Sequence, residues 1–199
     1  MIPGVGLYID GVIKEGDKVV RKIRRVKGHS FVKQYAQLLL LDFCATSPYV
    51  RNTNNALGYP VGTTGINFLN RCFGCDAASG EDRIGLVIGT GNTAVTVSDY
   101  KLATKISNGI TSGTLQYGAV AVGAPTTDLT SNYFVITRVF TNGSGNPVTI
   151  KEIGLIAYNT SYSNSLNNVY LIARDILPSE IPLNNGQNVT INYTIKATI

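Results

Sequence analysis

Asn188-Val189-Thr190-Ile191-Asn192-Tyr193-Thr194-Ile195-Lys196-Ala197-Thr198-Ile199 alternates polar and apolar residues without a break. A period of two places Val189, Ile191, Tyr193, Ile195, Ala197 and Ile199 on one face of a strand and the Asn, Thr and Lys side chains on the other. The stretch reads as a half-buried β-strand that closes a sheet over a core, and its neighbours in the chain follow the same pattern.

Upstream, Leu183-Asn184-Asn185-Gly186 has turn chemistry, as do Asn142-Gly143-Ser144-Gly145-Asn146 and Ala124-Pro125-Thr126-Thr127. Between these turns lie strand-like runs at 84–89, 113–122, 132–141, 147–158 and 168–175, with a further β pattern at Val95-Thr96-Val97. In 132–141 both faces are apolar-rich (Tyr133, Val135 and Val139 against Phe134, Ile136 and Phe140), which predicts a central strand. Short strands and turns in this rhythm predict a mainly β fold, an antiparallel β-sandwich with jelly-roll or immunoglobulin-like wiring.

The first 83 residues read differently. Asp10-Gly11 between β-formers suggests a tight turn, and Glu15-Gly16-Asp17 a second one, leading into the basic strand Lys18-Val19-Val20-Arg21-Lys22-Ile23-Arg24-Arg25-Val26-Lys27. Ser30 is placed to cap one short helix over 31–43. There Phe31, Tyr35, Leu38, Leu39 and Phe43 recur at spacings of three and four, with Lys33, Gln34 and Gln37 off that face. Residues 46–83 form an Asn/Gly/Thr-rich connection, too long to be structureless inside a compact domain. It is expected either to reach a neighbouring subunit or to hold short strands. Three zones result: a basic N-terminal β-arm (1–29), the helix and long connection (30–83), and the sandwich (84–199).

Charged residues make up 15% of the 199-residue chain, well below the roughly 25% of an ordinary soluble domain. The net charge of +5 is concentrated at the front. Residues 1–33 hold eight basic and three acidic residues, and the remainder holds nine of each. Met1-Ile2-Pro3-Gly4 lacks the basic and apolar regions of a signal peptide, and Leu38-Leu39-Leu40-Leu41 falls far short of a membrane span. A soluble chain made in the cytoplasm, without membrane contact, is expected.

Catalytic chemistry is poorly represented. Gly89-Thr90-Gly91-Asn92-Thr93-Ala94 formally matches a dinucleotide fingerprint, but the residues after it are β-like where that site needs a helix N-terminus. A glycine-rich strand turn is the simpler reading. The only histidine, His29, has no nucleophile elbow to serve. No catalytic residue and no cofactor are expected.

Cys72-Phe73-Gly74-Cys75 has the spacing of a zinc knuckle, and Cys44 with His29 would complete a three-Cys, one-His set. A disulfide among these cysteines, or plain thiols, accounts for the same residues. Arg21, Lys22, Arg24, Arg25 and Lys27 are candidates for non-specific contact with nucleic-acid phosphates. The same run is also what a protected edge strand carries. Arg138, on one strand face with Ile136 and Phe140, is expensive to bury alone, so a structural ion pair with Glu152 or Asp175 is expected. Tyr158, Tyr162 and Tyr170 flank the Asn/Ser-rich 159–168 loop and are candidates for stacking on a carbohydrate. Asn142, Asn159, Asn188 and Asn192 head N-glycosylation triplets.

Several segments taken together resemble virion structural proteins of tailed phages and related prokaryotic viruses. They are Ile88-Gly89-Thr90-Gly91 with Asp99-Tyr100-Lys101-Leu102; Thr137-Arg138-Val139-Phe140-Thr141-Asn142 followed by Glu152-Ile153-Gly154-Leu155; and Leu171-Ile172-Ala173-Arg174-Asp175-Ile176-Leu177-Pro178, ending in Tyr193-Thr194-Ile195. The resemblance spans about 110 residues. It implies a capsid, capsid-decoration or tail component located in the virion, which assembles with copies of itself and with other virion proteins. The alternative is a carbohydrate- or receptor-binding sandwich displayed on a virion or cell surface.

Overall fold

A computed structural model of the chain describes residues 4–28, 31–44, 50–58, 74–158 and 169–198. In chain order its elements are β1 (Gly4–Glu15), β2 (Lys18–Gly28), α1 (Lys33–Cys44), β3 (Val50–Arg51), β4 (Leu57–Gly58), β5 (Gly85–Gly89), β6 (Gln116–Val122), β7 (Thr126–Thr127), β8 (Ser131–Thr141), β9 (Val148–Tyr158), β10 (Val169–Leu183) and β11 (Gln187–Thr198). The fold is mainly β. A six-stranded antiparallel sheet ordered β2-β1-β11-β8-β6, with β7 also on β8, faces a three-stranded sheet ordered β10-β9-β5. The sheets form a sandwich that does not close into a barrel.

The alternating stretch becomes β11, paired without a slip to β8 on one side and to β1 on the other. Its inward residues Val189, Ile191 and Tyr193 are fully buried. β8 lies between β11 and β6, as its composition predicts. Only one of its faces is sealed, however: Ile136, Arg138 and Phe140 point into the core while Val139 is exposed.

The N-terminal zone is not an arm. β1 runs from Gly4↔Thr198 to Glu15↔Gln187 against β11, and Leu7, Ile9 and Ile13 belong to the main core. Asp10-Gly11 lies inside β1, at an irregularity where pairing with β2 slips between Ile9 and Gly11. A Cβ on Gly11 would sit 2.3 Å from the Thr190 carbonyl oxygen, so the glycine serves close strand approach and not a turn. The reversal comes at Gly16, whose φ of 56° is open to glycine.

β10 is longer than the 168–175 run predicts, because a bulge carries it past Pro178: pairing with β9 jumps from Ile176↔Glu152 to Ile181↔Ile150. Residues 95–97, expected as a strand, instead belong to a loop that covers the outer face of the smaller sheet. Val32, just before α1, and Leu38 within it pack over the same face, and Val32 N donates to Ile172 O at 3.1 Å. The helix begins at Lys33; Phe31 forms a bridge to Ala173, and Ser30 lies outside the described residues. Gln34, expected on the open face, is buried because the β3-β4 ribbon lies beside it, with Gln34 Nε2 donating to Arg51 O at 3.5 Å. β3 and β4 supply the short strands expected in the long connection.

Candidate functional site

Arg138 is 0% exposed, and its guanidinium meets backbone carbonyls where a carboxylate is expected. Nε donates to Gly118 O at 2.8 Å, Nη1 to Ile84 O at 3.1 Å and Leu86 O at 2.9 Å, and Nη2 to Ala78 O at 3.4 Å and to Glu81 O. A guanidinium has five N–H donors, and all five are used. The Tyr117 ring lies 4.7 Å from its centre, adding a cation–π contact. Burial pushes the Arg138 pKa down from the ordinary arginine value.

The location explains the need. Among the described strands β5 pairs with β9 alone, with one isolated bridge from Gly89 to Lys105, so alternate backbone groups along it have no strand partner. Arg138 takes the Ile84 and Leu86 carbonyls. The Tyr117 hydroxyl donates to Ile106 O at 2.6 Å and sits 3.4 Å from Ile88 N, while Ile106 N donates to Ile88 O at 2.9 Å. Side chains and a loop thus stand in for a missing fourth strand.

Glu152, expected as a partner of Arg138, pairs with Arg174 on the other face of the smaller sheet. Its Oε2 accepts from Arg174 Nε at 2.7 Å and from Ala103 N at 3.1 Å; its Oε1 accepts from Gly91 N at 3.1 Å and Thr104 N at 2.8 Å. Arg174 Nη1 reaches Asp99 Oδ2 at 2.7 Å, and Nη2 reaches Thr93 O at 3.0 Å. Burial pushes the Asp99 carboxyl up, but hydrogen bonds from Arg174 and Thr96 outweigh it and leave the group below the ordinary value. Burial pulls Arg174 down, but its hydrogen bonds and charge contacts with Glu152 and Asp99 outweigh it and leave the guanidinium above its ordinary value. The result pins the loop from Gly91 to Thr104 onto the sheet.

The Gly89-Thr90-Gly91 motif now has a physical role. A Cβ on Gly89 would lie 2.5 Å from Glu152 Oε1, and one on Gly91 2.4 Å from the same atom. These glycines do cradle an anion, and the anion is the chain's own Glu152.

Asp175, the other expected partner of Arg138, accepts from the Tyr193 hydroxyl at 2.8 Å between the two sheets. The predicted Arg138 ion pair is therefore not formed, because β9 and β10 turn Glu152 outward and Asp175 toward β11. The sequence reading missed Arg174 as a partner, although a charged residue set directly against the apolar run from Val169 to Ala173 is the same signal that singles out Arg138.

The candidate metal set lies largely outside the described residues: His29 and Cys72 are not described, nor is the side chain of Cys44. Cys75 is a half-buried free thiol, pushed up to about 11 chiefly by burial, with Asp76 adding to the effect. No cluster of metal-ligating side chains occurs among the described residues.

Of the tyrosines, Tyr170 is fully buried in the core and unavailable to a glycan, because β10 is covered on both faces. Tyr158 is half-buried and its hydroxyl donates to Asp76 Oδ1 at 2.9 Å, while Tyr162 lies outside the described residues. Asn142 is fully buried, its Nδ2 donating to Asn146 O and Leu183 O, both at 2.8 Å. It ties together the two turns that connect the sheets and is closed to glycosylation in the folded chain.

The five basic candidates all sit on β2, the exposed edge strand, and divide between its faces. Arg21 pairs across from inward Ile13 and donates to Ser179 Oγ at 3.1 Å on β10. Lys22 and Lys27 pair with outward Val12 and Tyr8, and Arg25 stacks 4.5 Å from the Tyr8 ring centre. Arg24 lies opposite the slip that follows Ile9. No carboxylate within ion-pair distance of these five occurs among the described residues. No protein-family model, curated protein or solved structure matches the chain.

Proposed function

We propose that this chain is a structural, non-enzymatic subunit of a virion that assembles with copies of itself and with other virion proteins. One observation carries the reading. Within the segments that carry the resemblance to virion proteins, Gly89, Gly91, Asp99, Arg138, Glu152, Arg174, Asp175 and Tyr193 are gathered by the fold into one buried polar framework. Each buried charge there is consumed by internal partners, which locks one packing of the two sheets. That rigidity suits a protein whose function is geometric.

Sedimentation velocity and negative-stain microscopy of the purified protein test the reading. Ordered oligomers or polymers that grow with concentration are expected, and a monodisperse monomer at all concentrations would overturn it. In the same reading, the outward cations of β2 touch packaged nucleic acid without sequence preference. Retention of an oligonucleotide at low salt, lost in Arg25→Glu/Lys27→Glu, is expected; no retention by the native protein removes that contact.

A further inference from the structure

The two open edges of the six-stranded sheet are unlike and complementary. Beyond β8, the loop between β7 and β8 lifts Leu129 into solvent, 97% exposed. The loop is rigidly built: Asp128 Oδ1 accepts from Thr130 N at 2.9 Å, Oδ2 accepts from Ser131 Oγ at 2.7 Å, and Asp128 N donates to Ser131 O at 2.8 Å. These bonds hold the Asp128 carboxyl down to about 2 and keep it ionised. Among the described residues it has no cationic partner. The loop is fixed before any partner arrives, so Leu129 and the Asp128 carboxylate present one apolar and one anionic group side by side, the complement of an apolar hole with a positive rim.

Such a hole lies at the opposite edge. Where β10 bulges past Pro178, it opens a cavity of about 350 Å³ against β2, floored by Ile23, Val26, Leu177 and Ile181 and rimmed by Arg21 and Arg24. The nearby carboxylate, Glu180, is taken by Lys151 at 2.9 Å. Knob and hole sit on opposite edges of one sheet, so a chain cannot satisfy its own pair.

We infer that Leu129 and Asp128 of one copy seat in the β2–β10 cavity of the next, with Leu129 on the apolar floor and Asp128 against Arg21 and Arg24. This contact is head-to-tail, and it generates a ring if the rotation closes and a filament if it does not. It rests on the reading of the chain as an assembling subunit and names the surfaces that reading needs.

Two variants at solvent-facing positions test it by sedimentation velocity, with thermal melts to confirm native folding: Leu129→Asp removes the knob, and Arg21→Glu/Arg24→Glu reverses the rim. Leu129→Ser replaces the first if it melts early. Native protein is expected to form species larger than a dimer, and each variant alone to remain a monomer. An equimolar mixture, which retains one good knob and one good hole, is expected to stop at dimers. Assembly of either variant like the native chain, or a mixture that stays monomeric, overturns the contact while leaving the assembly reading intact. A native chain that is itself monomeric overturns the assembly reading. Inhibition of native assembly by polyglutamate but not by Leu129→Asp protein would assign the hole to an acidic partner instead.

Discussion

Glu152 Oε2 lies 2.7 Å from Arg174 Nε with both side chains almost wholly closed to solvent. The carboxylate's remaining three hydrogen bonds come from backbone N–H groups of the loop above it. A carboxylate has about four acceptor sites, and all are filled. The pair therefore works as a rivet between β9, β10 and the loop 91–104, and its removal exposes each partner in turn.

Glu152→Gln keeps the volume but sets an amide N–H₂ against two N–H donors whichever way it is turned, and leaves the Arg174 charge with Asp99 alone. Removing one member of a buried pair costs about 3–5 kcal/mol. Urea denaturation is expected to show a loss in that range, with Arg174→Met similar and the double variant well short of the sum because the two share one interaction. A single-variant loss below about 1 kcal/mol would sink the rivet.

Arg138→Lys tests whether charge or donor geometry matters. An ammonium has three donors on one nitrogen and cannot reach five carbonyls spread over three segments. At least two buried carbonyls lose their partners, at about 1–3 kcal/mol each. The lysine variant is expected to be destabilised by about 2–4 kcal/mol and Arg138→Leu by at least as much. Lysine stability equal to native would show that the positive charge alone suffices.

Gly91→Ala is expected to be destabilising although alanine is small. Its Cβ would meet Glu152 Oε1 at 2.4 Å and the Ala103 Cβ at 2.6 Å, and overpacking of this kind costs about 1–3 kcal/mol. Gly123→Ala, whose Cβ would approach no atom closer than 3.4 Å, is the control and should melt within a degree or two of native. Equal melting of both variants would falsify the cradle.

Alkaline pH should weaken the fold through Tyr193 and Tyr117. Burial, reinforced by Asp175, raises the Tyr193 hydroxyl well above its ordinary value, and burial likewise raises Tyr117. A phenol that stays protonated in the fold but ionises in the unfolded chain draws the equilibrium toward unfolding once pH exceeds about 10. The contribution of these two tyrosines is therefore expected to be level below that pH and to fall above it. Tyr193→Phe should flatten the alkaline limb of a stability–pH curve, and an unchanged slope would argue against the assignment.

The strands were legible because their signal is local. β8, β9, β11 and the turn at Gly186 appear in the sequence almost where the fold places them, since alternation and turn chemistry need only near neighbours. The helix was legible too, displaced by two residues at its start. The candidate site was legible by residue and not by partner. Arg138, Glu152 and Asp175 stand out as charges in apolar strands, but which face each occupies depends on bulges, such as the slip between Leu171 and Ala173 in β10, that no local pattern announces.

By itself the sequence determined that this chain is a β-sandwich with charges to bury, because a period of two and a scarcity of charge leave few other ways to hide its apolar faces. Only the tertiary structure decided that the N-terminal zone joins the sheet as β1 and β2, since β1 finds its partner more than 170 residues away in β11. It also decided that Arg138 serves backbone carbonyls while Glu152 serves Arg174. A buried charge takes whatever polar groups the packing leaves unpaired around it, and at the open edge of β5 those groups are carbonyls.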